Sequence, residues 1–341
     1  MDPFERLKVG ATTLAVPRLG MGGASLGDMH RVLPEEQARA TIEAAHAAGI
    51  GYFDTSPWYG NTKSELRLGV VLRDKPRDGF VLSTKVGRTH HRPTDPGGYR
   101  HPTWVGGLPF EPRFDYTRAG VTTSFEMSAA RLGLNRIDAL LIHDLDPGHH
   151  GSDEAVEAGF KQLDAEGGYA ALAELKSAGE ILAIGAGINR TGMIGKFLER
   201  FPIDFFLVAM PYTLLNQQGL AELDICAAKG VSVVIGAPFA SGILARDAEP
   251  GSTYGYRQAK PEVVERAQRI RAVCQRHDVP LGAAALQFLF GHPSVVSVIP
   301  GPVSPAEVAK NLEWMRHGIP GDLWSELWAE DLIDPRAPLP I

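Results

Sequence analysis

The sequence predicts a (β/α)8 barrel, in which eight parallel strands close into a ring and helices cover the outside. Eight short apolar runs recur between residues 19 and 299, and each is followed by a segment with helical periodicity. The runs are apolar throughout, which is typical of strands buried on both faces. Neither glycine cluster, residues 20–23 or 185–187, has the full spacing of the dinucleotide-binding fingerprint that a doubly wound sheet usually carries. The repeated alternation therefore favours a closed barrel.

The first half of the chain contains a predicted hairpin and four predicted strands. Residues 7–10 and 12–16 flank a glycine turn and predict an N-terminal β-hairpin. The strands are predicted at residues 19–23, 51–54, 80–86 and 137–143. Helices are predicted from Pro34 to the glycine at position 49, and over residues 64–72 and 117–132.

The second half repeats the same order of strand and helix. Its strands are predicted at residues 181–185, 205–208, 231–235 and 295–299. Its helices are predicted at residues 169–178, 193–200, 220–229, 261–277, 281–290 and from 305 to about 315.

Three long segments interrupt this alternation, at residues 88–115, 144–168 and 238–259. Each follows a predicted strand, so we expect long loops that meet at the C-terminal face of the barrel. The first segment is rich in proline, glycine and aromatic residues, a composition found in active-site covers and in disordered loops. None of the three predicts a separate unit, and residues 1–341 are therefore predicted to form a single domain.

Composition excludes several classes of function. Of 341 residues, 44% are hydrophobic and 22% are charged, which is an ordinary globular mixture. A formal net charge of −6 without a basic stripe argues against nucleic-acid binding, and no apolar run is long enough to span a membrane. The charged N-terminus has no apolar signal-peptide core, and Cys226 and Cys274 lack a disulfide or metal spacing. We expect a cytoplasmic protein with a small-molecule substrate, whose oligomeric state the sequence does not indicate.

Polar side chains end three consecutive predicted strands. Asp54 ends the second strand, Lys85 lies near the end of the third, and His143 ends the fourth. Tyr59 lies on the loop after the second strand. Because the carboxyl ends of barrel strands meet at one face, we expect these four side chains to lie together.

These four residue types suit proton transfer coupled to hydride transfer. A phenol with its ordinary pKa of about 10 exchanges protons poorly at neutral pH, and a neighbouring ammonium lowers that pKa. A carboxylate keeps the lysine in place and charged, and an imidazole can orient the substrate oxygen. The hydride must pass to or from a cofactor.

In type, order and barrel position, Asp54, Tyr59, Lys85 and His143 resemble the catalytic tetrad of the aldo-keto reductases. The resemblance extends over nearly the whole chain. It implies a (β/α)8 barrel, an extended nicotinamide cofactor and no metal. The cofactor contacts that it implies are Gly22, Gly23, Asn189, Pro238, Ser241, Gly242, Leu244, Pro300, Gly301, Glu307 and Asn311.

Several positions depart from the pattern of that family. Relatives usually have a glutamine at the tip of the sixth strand, whereas residues 208–210 of this chain have none and place Met210 nearby. Residues 235–238 offer no aromatic ring for the nicotinamide at the matching place. Relatives that prefer NADP often carry lysine and arginine at the positions of Gly301 and Glu307. A 2′-phosphate would lose two cations there and meet a carboxylate, so we expect NAD to be preferred, with NADP as the alternative.

Two further stretches, residues 143–146 with 168–176 and residues 212–215 with 237–244, resemble aldose 1-dehydrogenases and pyridoxal 4-dehydrogenases. Both groups oxidise a cyclic hemiacetal to a lactone. Trp58 and Trp104 are candidate walls for the substrate, and Asp144 is a candidate polar contact. We expect an aldose such as L-fucose as substrate. Pyridoxal, oxidised to 4-pyridoxolactone, is the alternative, and a regulatory subunit that senses cofactor without turnover is a second one.

Two histidine pairs, at residues 90–91 and 149–150, have side chains of a type that can bind a metal. Neither has a matching acidic or cysteine set in the sequence. We therefore predict that this protein binds no metal.

Overall fold

The computed structural model describes residues 1–29, 31–95, 97–249, 251–255 and 257–340. Eight strands form one sheet in the order of the chain, and every neighbouring pair is parallel. The strands are β1 Met21–Gly22, β2 Tyr52–Asp54, β3 Val81–Val86, β4 Ala139–His143, β5 Ala183–Ile188, β6 Phe205–Val208, β7 Ser232–Ile235 and β8 Val295–Val298.

The two ends of the sheet meet and close the barrel. Leu19 forms a parallel bridge with Val298, and the amide of Gly20 donates to the Val298 carbonyl at 2.9 Å. Beyond the bridge, the Gly22 amide donates to the Pro300 carbonyl at 2.9 Å. The predicted (β/α)8 barrel is confirmed.

Helices follow the strands around the outside of the ring. They are α1 Glu35–Ala47, α2 Lys63–Leu72, α3 Arg118–Leu132, α4 Pro147–His150, α5 Asp153–Asp164, α6 Gly168–Ser177, α7 Met193–Leu198, α8 Leu220–Lys229, α9 Pro261–Arg276, α10 Leu281–Phe288, α11 Pro305–Arg316 and α12 Gly321–Ala329. Short 3-10 turns lie at Ala24–Gly27, Arg77–Gly79, Ala240–Gly242 and Leu289–Gly291. Within the part of the chain that the structure describes, no helix is long and apolar enough to cross a membrane.

Alternation along the strands separates two apolar layers. In β4, Leu140 and Ile142 belong to the large core between strands and helices, whereas Ala139 and Leu141 belong to the smaller core inside the ring. That inner core also contains Val9, Leu14 and Val16 from the N-terminal segment, whose strands Arg6–Lys8 and Ala15–Pro17 form the expected hairpin. The Gly10 amide donates to Ser232 Oγ, at the start of β7, so the hairpin closes the N-terminal end of the barrel.

The long segments contain more regular structure than the sequence predicted. In the first, Arg88–His91 pairs with Glu111–Phe114 in a second antiparallel hairpin. In the third, Thr253–Tyr254 pairs with Arg257–Gln258. The second contains α4 and α5, so its prediction as a long loop was wrong. The signals were local ones: the Ser152 hydroxyl accepts from the Ala155 amide at the start of α5, which then buries an apolar face.

Candidate functional site

The ends of β2, β3 and β4 bring three ionisable side chains to one face of the barrel. The strand register pairs Asp54 with Ser83 and Lys85 with Leu141, so the three side chains emerge from adjacent strands. Asp54 and Lys85 are each 1% exposed, and His143 is 6% exposed.

Asp54 and Lys85 form a buried ion pair. Lys85 Nζ donates to Asp54 Oδ2 at 2.6 Å and to the Thr55 carbonyl at 2.7 Å. The Ser83 hydroxyl donates to the second oxygen, Asp54 Oδ1, at 2.7 Å. Burial raises the pKa of the Asp54 carboxyl, while the Lys85 ammonium and the Ser83 hydroxyl oppose that rise. Both oxygens of the carboxylate are thus bound, and the lysine is held in one place.

The ammonium of this pair faces the ring of Tyr59. Lys85 Nζ lies 4.8 Å from the centroid of the Tyr59 ring. The ring of His143 lies 5.8 Å from that of Tyr59, with an interplanar angle of 85°. The tyrosine is only partly buried and lines a cavity, so its phenol is accessible to a small molecule.

The turn that carries Tyr59 has an unusual backbone. Gly60, Asn61 and Thr62 follow it with positive φ angles of 67°, 49° and 82°. A β-branched residue such as threonine rarely adopts this region. A Cβ on Gly60 would lie 2.6 Å from the Gly27 carbonyl oxygen, so two loops approach each other closely at this turn. The close approach fixes the position from which the phenol leaves the backbone.

His143 is buried at this site, which disfavours the charged form of its imidazole. Its Nδ1 lies 3.0 Å from the Ser56 hydroxyl and 3.1 Å from Arg88 Nη1. Burial holds the pKa of His143 well below its usual value; the Asp144 carboxylate opposes this shift, and the Arg88 and Lys85 cations add to it. The Tyr116 hydroxyl donates to the His143 carbonyl at 2.7 Å and fixes the backbone.

The carboxylate of Asp144 is bound on both oxygens. Asp144 has a positive φ of 53°. Its Oδ2 accepts from Arg88 Nη2 at 2.9 Å and lies 3.3 Å from His143 Nε2. Its Oδ1 accepts from Asn189 Nδ2 at 2.8 Å. Burial alone would raise the pKa of Asp144, but His143 and the Arg88 guanidinium outweigh that effect and lower the pKa.

Two indole rings form one wall of the site. The rings of Trp58 and Trp104 are 5.6 Å apart at 78°, and Trp104 lies 5.9 Å from the Tyr59 ring. Trp104 is 2% exposed, and its Nε1 is buried without a hydrogen-bond partner in the described part of the chain. The long loop that carries Trp104 is attached to the Tyr59 turn, because the Leu108 amide donates to the Gly60 carbonyl at 2.9 Å.

A cavity of about 1040 Å³ opens in front of these side chains. Ten of the residues predicted from the sequence line it: Gly22, Gly23, Asp54, Trp58, Tyr59, Lys85, Trp104, His143, Asp144 and Asn189. The lining also includes polar residues that the sequence analysis did not identify: His149, Arg190, Asn216, Gln218 and Arg257. The structure therefore brings together the four predicted catalytic residues, the three predicted substrate contacts and three of the predicted cofactor contacts.

Comparison with known proteins agrees with this geometry. A model of the aldo/keto reductase family matches residues 18–328. This chain belongs to the aldo/keto reductase family.

Relatives of this aldo/keto reductase include two dehydrogenases. The chain is 39% identical over 333 residues to a D-threo-aldose 1-dehydrogenase of Pseudomonas sp., covering 95% of this chain and 96% of the relative. It is 37% identical over 338 residues to a pyridoxal 4-dehydrogenase of Microbacterium luteolum, covering 96% and 98%. Family membership and these relatives make the chain an NAD(P)-dependent oxidoreductase.

A solved structure shares the fold. A holo-form aldo-keto reductase from Bacillus halodurans superposes with a TM-score of 0.74 at 24% identity and covers 97% of both chains. At this level of identity the likeness concerns the architecture of the barrel.

The remaining predicted cofactor contacts of this aldo/keto reductase lie outside the cavity, on the segments after β7 and β8. After β7 they are Pro238, Ser241, Gly242 and Leu244, and after β8 they are Pro300, Gly301, Glu307 and Asn311. Leu244 is fully buried in the main core, and its amide donates to the Phe239 carbonyl at 3.2 Å. Glu307 Oε2 accepts from the Val303 amide at 2.8 Å, and its own amide donates to the Ser304 hydroxyl at the start of α11.

The cavity fits the nicotinamide end of the family's cofactor. A Cβ on Gly22 would lie 2.7 Å from the Ile299 carbonyl oxygen, so the strand end leaves bare backbone at the cavity wall. A Cβ on Gly187 would lie 3.4 Å from His143 Cδ2 and 3.6 Å from Lys85 Cε. A larger residue at this position would cover both catalytic candidates. Glycine therefore keeps the floor of the cavity open to a flat ring.

His149 does have acidic neighbours, contrary to the expectation from the sequence. Its Nδ1 lies 3.0 Å from Asp146 Oδ2, its Nε2 lies 3.5 Å from Asp144 Oδ2, and the three side chains are close enough to surround an ion. However, Arg88 and Asn189 already bind the Asp144 carboxylate, and Asp146 caps α4. These contacts explain the cluster without a metal, and the absence of metal binding stays a prediction.

Arg88, which contacts His143 and Asp144, is another site residue that the sequence analysis missed. It follows Gly87, which has a φ of 100°, immediately after β3. Its position was a usable signal, since it is a charged residue close to the end of a barrel strand, like the three that were identified. Its contacts with His143 and Asp144 cross to the neighbouring strand and could not be read from local sequence.

Proposed function

We propose that this aldo/keto reductase oxidises the cyclic hemiacetal of an aldose to a lactone, with L-fucose as the representative substrate. The observation that carries the proposal is the buried Asp54–Lys85 pair, whose ammonium faces Tyr59 at the edge of the cavity. A positive charge at this place favours the phenolate form of Tyr59. Such a phenolate is a suitable base for an anomeric hydroxyl.

Each residue then has a distinct part in the reaction. Tyr59 accepts the proton of the anomeric hydroxyl, and Lys85 stabilises the negative charge that Tyr59 carries before this transfer. Asp54 keeps the lysine charged and in place. His143, neutral at its site, orients the substrate by hydrogen bonding to its oxygen. The nicotinamide cofactor, when bound, supplies the acceptor for the hydride.

The lining of the cavity favours a sugar over pyridoxal. Besides Asp144, whose oxygens already accept from Arg88 and Asn189, the lining includes His149, Asn216 and Gln218, and several such polar groups suit a polyhydroxylated ring. Trp58 offers one partly buried indole face, as sugar sites commonly do. Pyridoxal is the second candidate, because the relative from Microbacterium luteolum is a pyridoxal 4-dehydrogenase and both indoles could pack against a pyridine ring.

We propose NAD as the preferred cofactor, with NADP as the alternative. Gly301 carries no cation, and the nearby Glu307 adds a negative charge at the start of α11. A 2′-phosphate there would face a carboxylate without a compensating positive side chain at either position.

Initial rates with NAD and a panel of substrates test this function. L-Fucose and other aldoses, pyridoxal and simple aliphatic aldehydes would be compared by absorbance at 340 nm. We expect the largest kcat/KM with an aldose. A larger value with pyridoxal would support the second candidate, whereas tight NAD binding without turnover of any hemiacetal would support a regulatory, cofactor-sensing role.

A further inference from the structure

The buried guanidinium group of Arg88 contacts an imidazole, a carboxylate and two aromatic rings. It is 5% exposed, and its Nη1 and Nη2 contact His143 Nδ1 and Asp144 Oδ2. Its Cζ lies over two aromatic rings, 4.8 Å from the centroid of Trp58 and 4.4 Å from that of Phe114. These cation–π contacts and the two polar contacts together hold the guanidinium in place.

We propose that Arg88 is a positioning residue that fixes the tautomer of His143 and keeps its imidazole neutral. Through its contact with the Trp58 ring, Arg88 also connects His143 to the aromatic wall of the site. The proposal rests on the function proposed above. Arg88 acts through His143 and does not itself contact the reacting atoms.

The tautomer follows from the chemistry of arginine. A guanidinium group has five N–H donors and no acceptor, so the nitrogen that faces Arg88 must be the acceptor of the imidazole. His143 Nδ1 is therefore unprotonated, and the ring proton lies on Nε2. The Ser56 hydroxyl, 3.0 Å from Nδ1, can donate to the same nitrogen. Nε2–H is then the only ring group that can donate to a substrate oxygen.

The protonation state depends on all charges around the ring. Lys85 on β3 and Arg88 disfavour a second positive charge, and Asp144 favours one. His149 from α4 also disfavours it, while the partly buried phenol of Tyr59 lies opposite the ring. If Arg88 lost its charge, Asp144 would be left without its cation and would face the imidazole alone. The protonation equilibrium of His143 would then shift towards the imidazolium form.

An imidazolium at this place would hinder the proposed reaction. The carbon that loses hydride gains positive charge in the transition state, and a nearby cation is unfavourable. Protonation of His143 would therefore lower kcat/KM for hemiacetal oxidation at acidic pH. A role limited to packing would instead lower activity equally at all pH values.

The direct test is 15N NMR of histidine-labelled protein, which needs no turnover. In the wild-type protein we expect His143 to show a bare Nδ1 and a protonated Nε2 from pH 6 to pH 8. A proton on Nδ1 would overturn the proposal. Because this measurement is independent of substrate, it also separates failure of the proposal from failure of the proposed function.

Variants supply the second test. In Arg88→Met, we expect His143 to titrate at a higher pH, with kcat/KM falling more at pH 6 than at pH 8, by up to about tenfold for each unit by which the pKa of His143 exceeds 6. Arg88→Lys keeps the charge and should restore most of the wild-type pH profile while raising KM, because it loses the planar contact with Trp58. Arg113→Met is a matched control on the same hairpin, where the arginine pairs with Glu111 at the surface.

A pH-independent loss in both Arg88 variants would contradict the proposal. If Arg88→Met does not fold, the lysine variant and the wild-type NMR spectrum still decide the question.

Discussion

At the residue scale, the buried pair of Asp54 and Lys85 places a positive charge beside Tyr59, although burying both charged groups costs desolvation energy. Two opposite charges in a barrel interior gain little net stability, because the loss of hydration offsets most of their attraction. Their hydrogen bonds to Ser83 and to the Thr55 carbonyl leave the ammonium facing the Tyr59 ring. The geometry is therefore better explained by a need for a fixed positive charge beside a phenol than by stability.

Glu307 permits a residue-scale prediction about the cofactor. Replacing it with arginine places a phosphate-binding cation where the proposed NAD site has a carboxylate. We expect Glu307→Arg to raise the ratio of kcat/KM for NADP to that for NAD by at least about tenfold, or ~1.4 kcal/mol. Initial rates with both cofactors measure this ratio.

Glu307→Gln is the matched control, since an amide oxygen can still accept from the Val303 amide at the start of α11. It should change the ratio less than the arginine variant does. A wild-type enzyme that uses both cofactors equally, or an arginine variant with an unchanged ratio, would remove the basis for assigning NAD.

At the scale of elements, one ionic network joins three segments around the site. The buried carboxylate of Asp28, after β1, accepts from Lys63 and Arg67 of α2 at 2.7 Å each. Lys63 Nζ also donates to the Gly106 carbonyl of the long loop at 3.0 Å. The loop that carries Trp104 is thereby anchored to α2, beside the turn of Tyr59.

We expect Asp28→Asn to destabilise this part of the molecule. The variant removes the buried counter-charge and leaves Lys63 and Arg67 with the exposed Glu35 as their remaining carboxylate, which should cost about 2 kcal/mol. Urea unfolding at pH 7 measures the loss, and Asp74→Asn, at an exposed position after α2, is a control that should change stability by less than about 0.5 kcal/mol.

The contribution of Asp28 to stability should depend on pH in a defined direction. Burial alone would raise the pKa of Asp28, but Lys63 and Arg67 hold it below its ordinary value of 3.8. The stabilisation is therefore present above that ordinary value and is lost as pH falls through the lower value of the folded state. The difference between wild type and Asp28→Asn should persist down to about pH 4 and narrow below it; a difference that already vanishes at pH 6 would contradict this account.

Elements differ in how far local sequence predicts them. The barrel strands were predictable because a strand buried on both faces is a continuous apolar run, as in Phe205–Val208. The hairpin of Arg88–His91 with Glu111–Phe114 was not, because its strands are polar and far apart in the chain. The same reason applies to the site: Asp54, Lys85 and His143 share a position at strand ends, whereas the contacts of Arg88 appear only in three dimensions.

At the scale of the whole molecule, the residues that close the barrel and those that form the candidate site lie at opposite ends of the ring. The N-terminal hairpin and the inner core close one end of the ring, and the ion pair, the imidazole and the cavity occupy the other. The loops at the open end are tied to each other and to α2. This arrangement holds Tyr59 against a rigid set of strand ends while leaving its phenol accessible.

The phenol of Tyr59 is the centre of this account, and Tyr59→Phe tests it most directly. Phenylalanine keeps the ring beside Trp104 and Lys85, so circular dichroism and thermal unfolding should match the wild type. Tyr99→Phe, on the same long loop as Trp104, is the control for loss of a hydroxyl elsewhere. With NAD and the best hemiacetal substrate, we predict that kcat of Tyr59→Phe falls by about 10²- to 10⁴-fold. A folded Tyr59→Phe protein with nearly wild-type kcat would contradict the assignment of Tyr59 as the base.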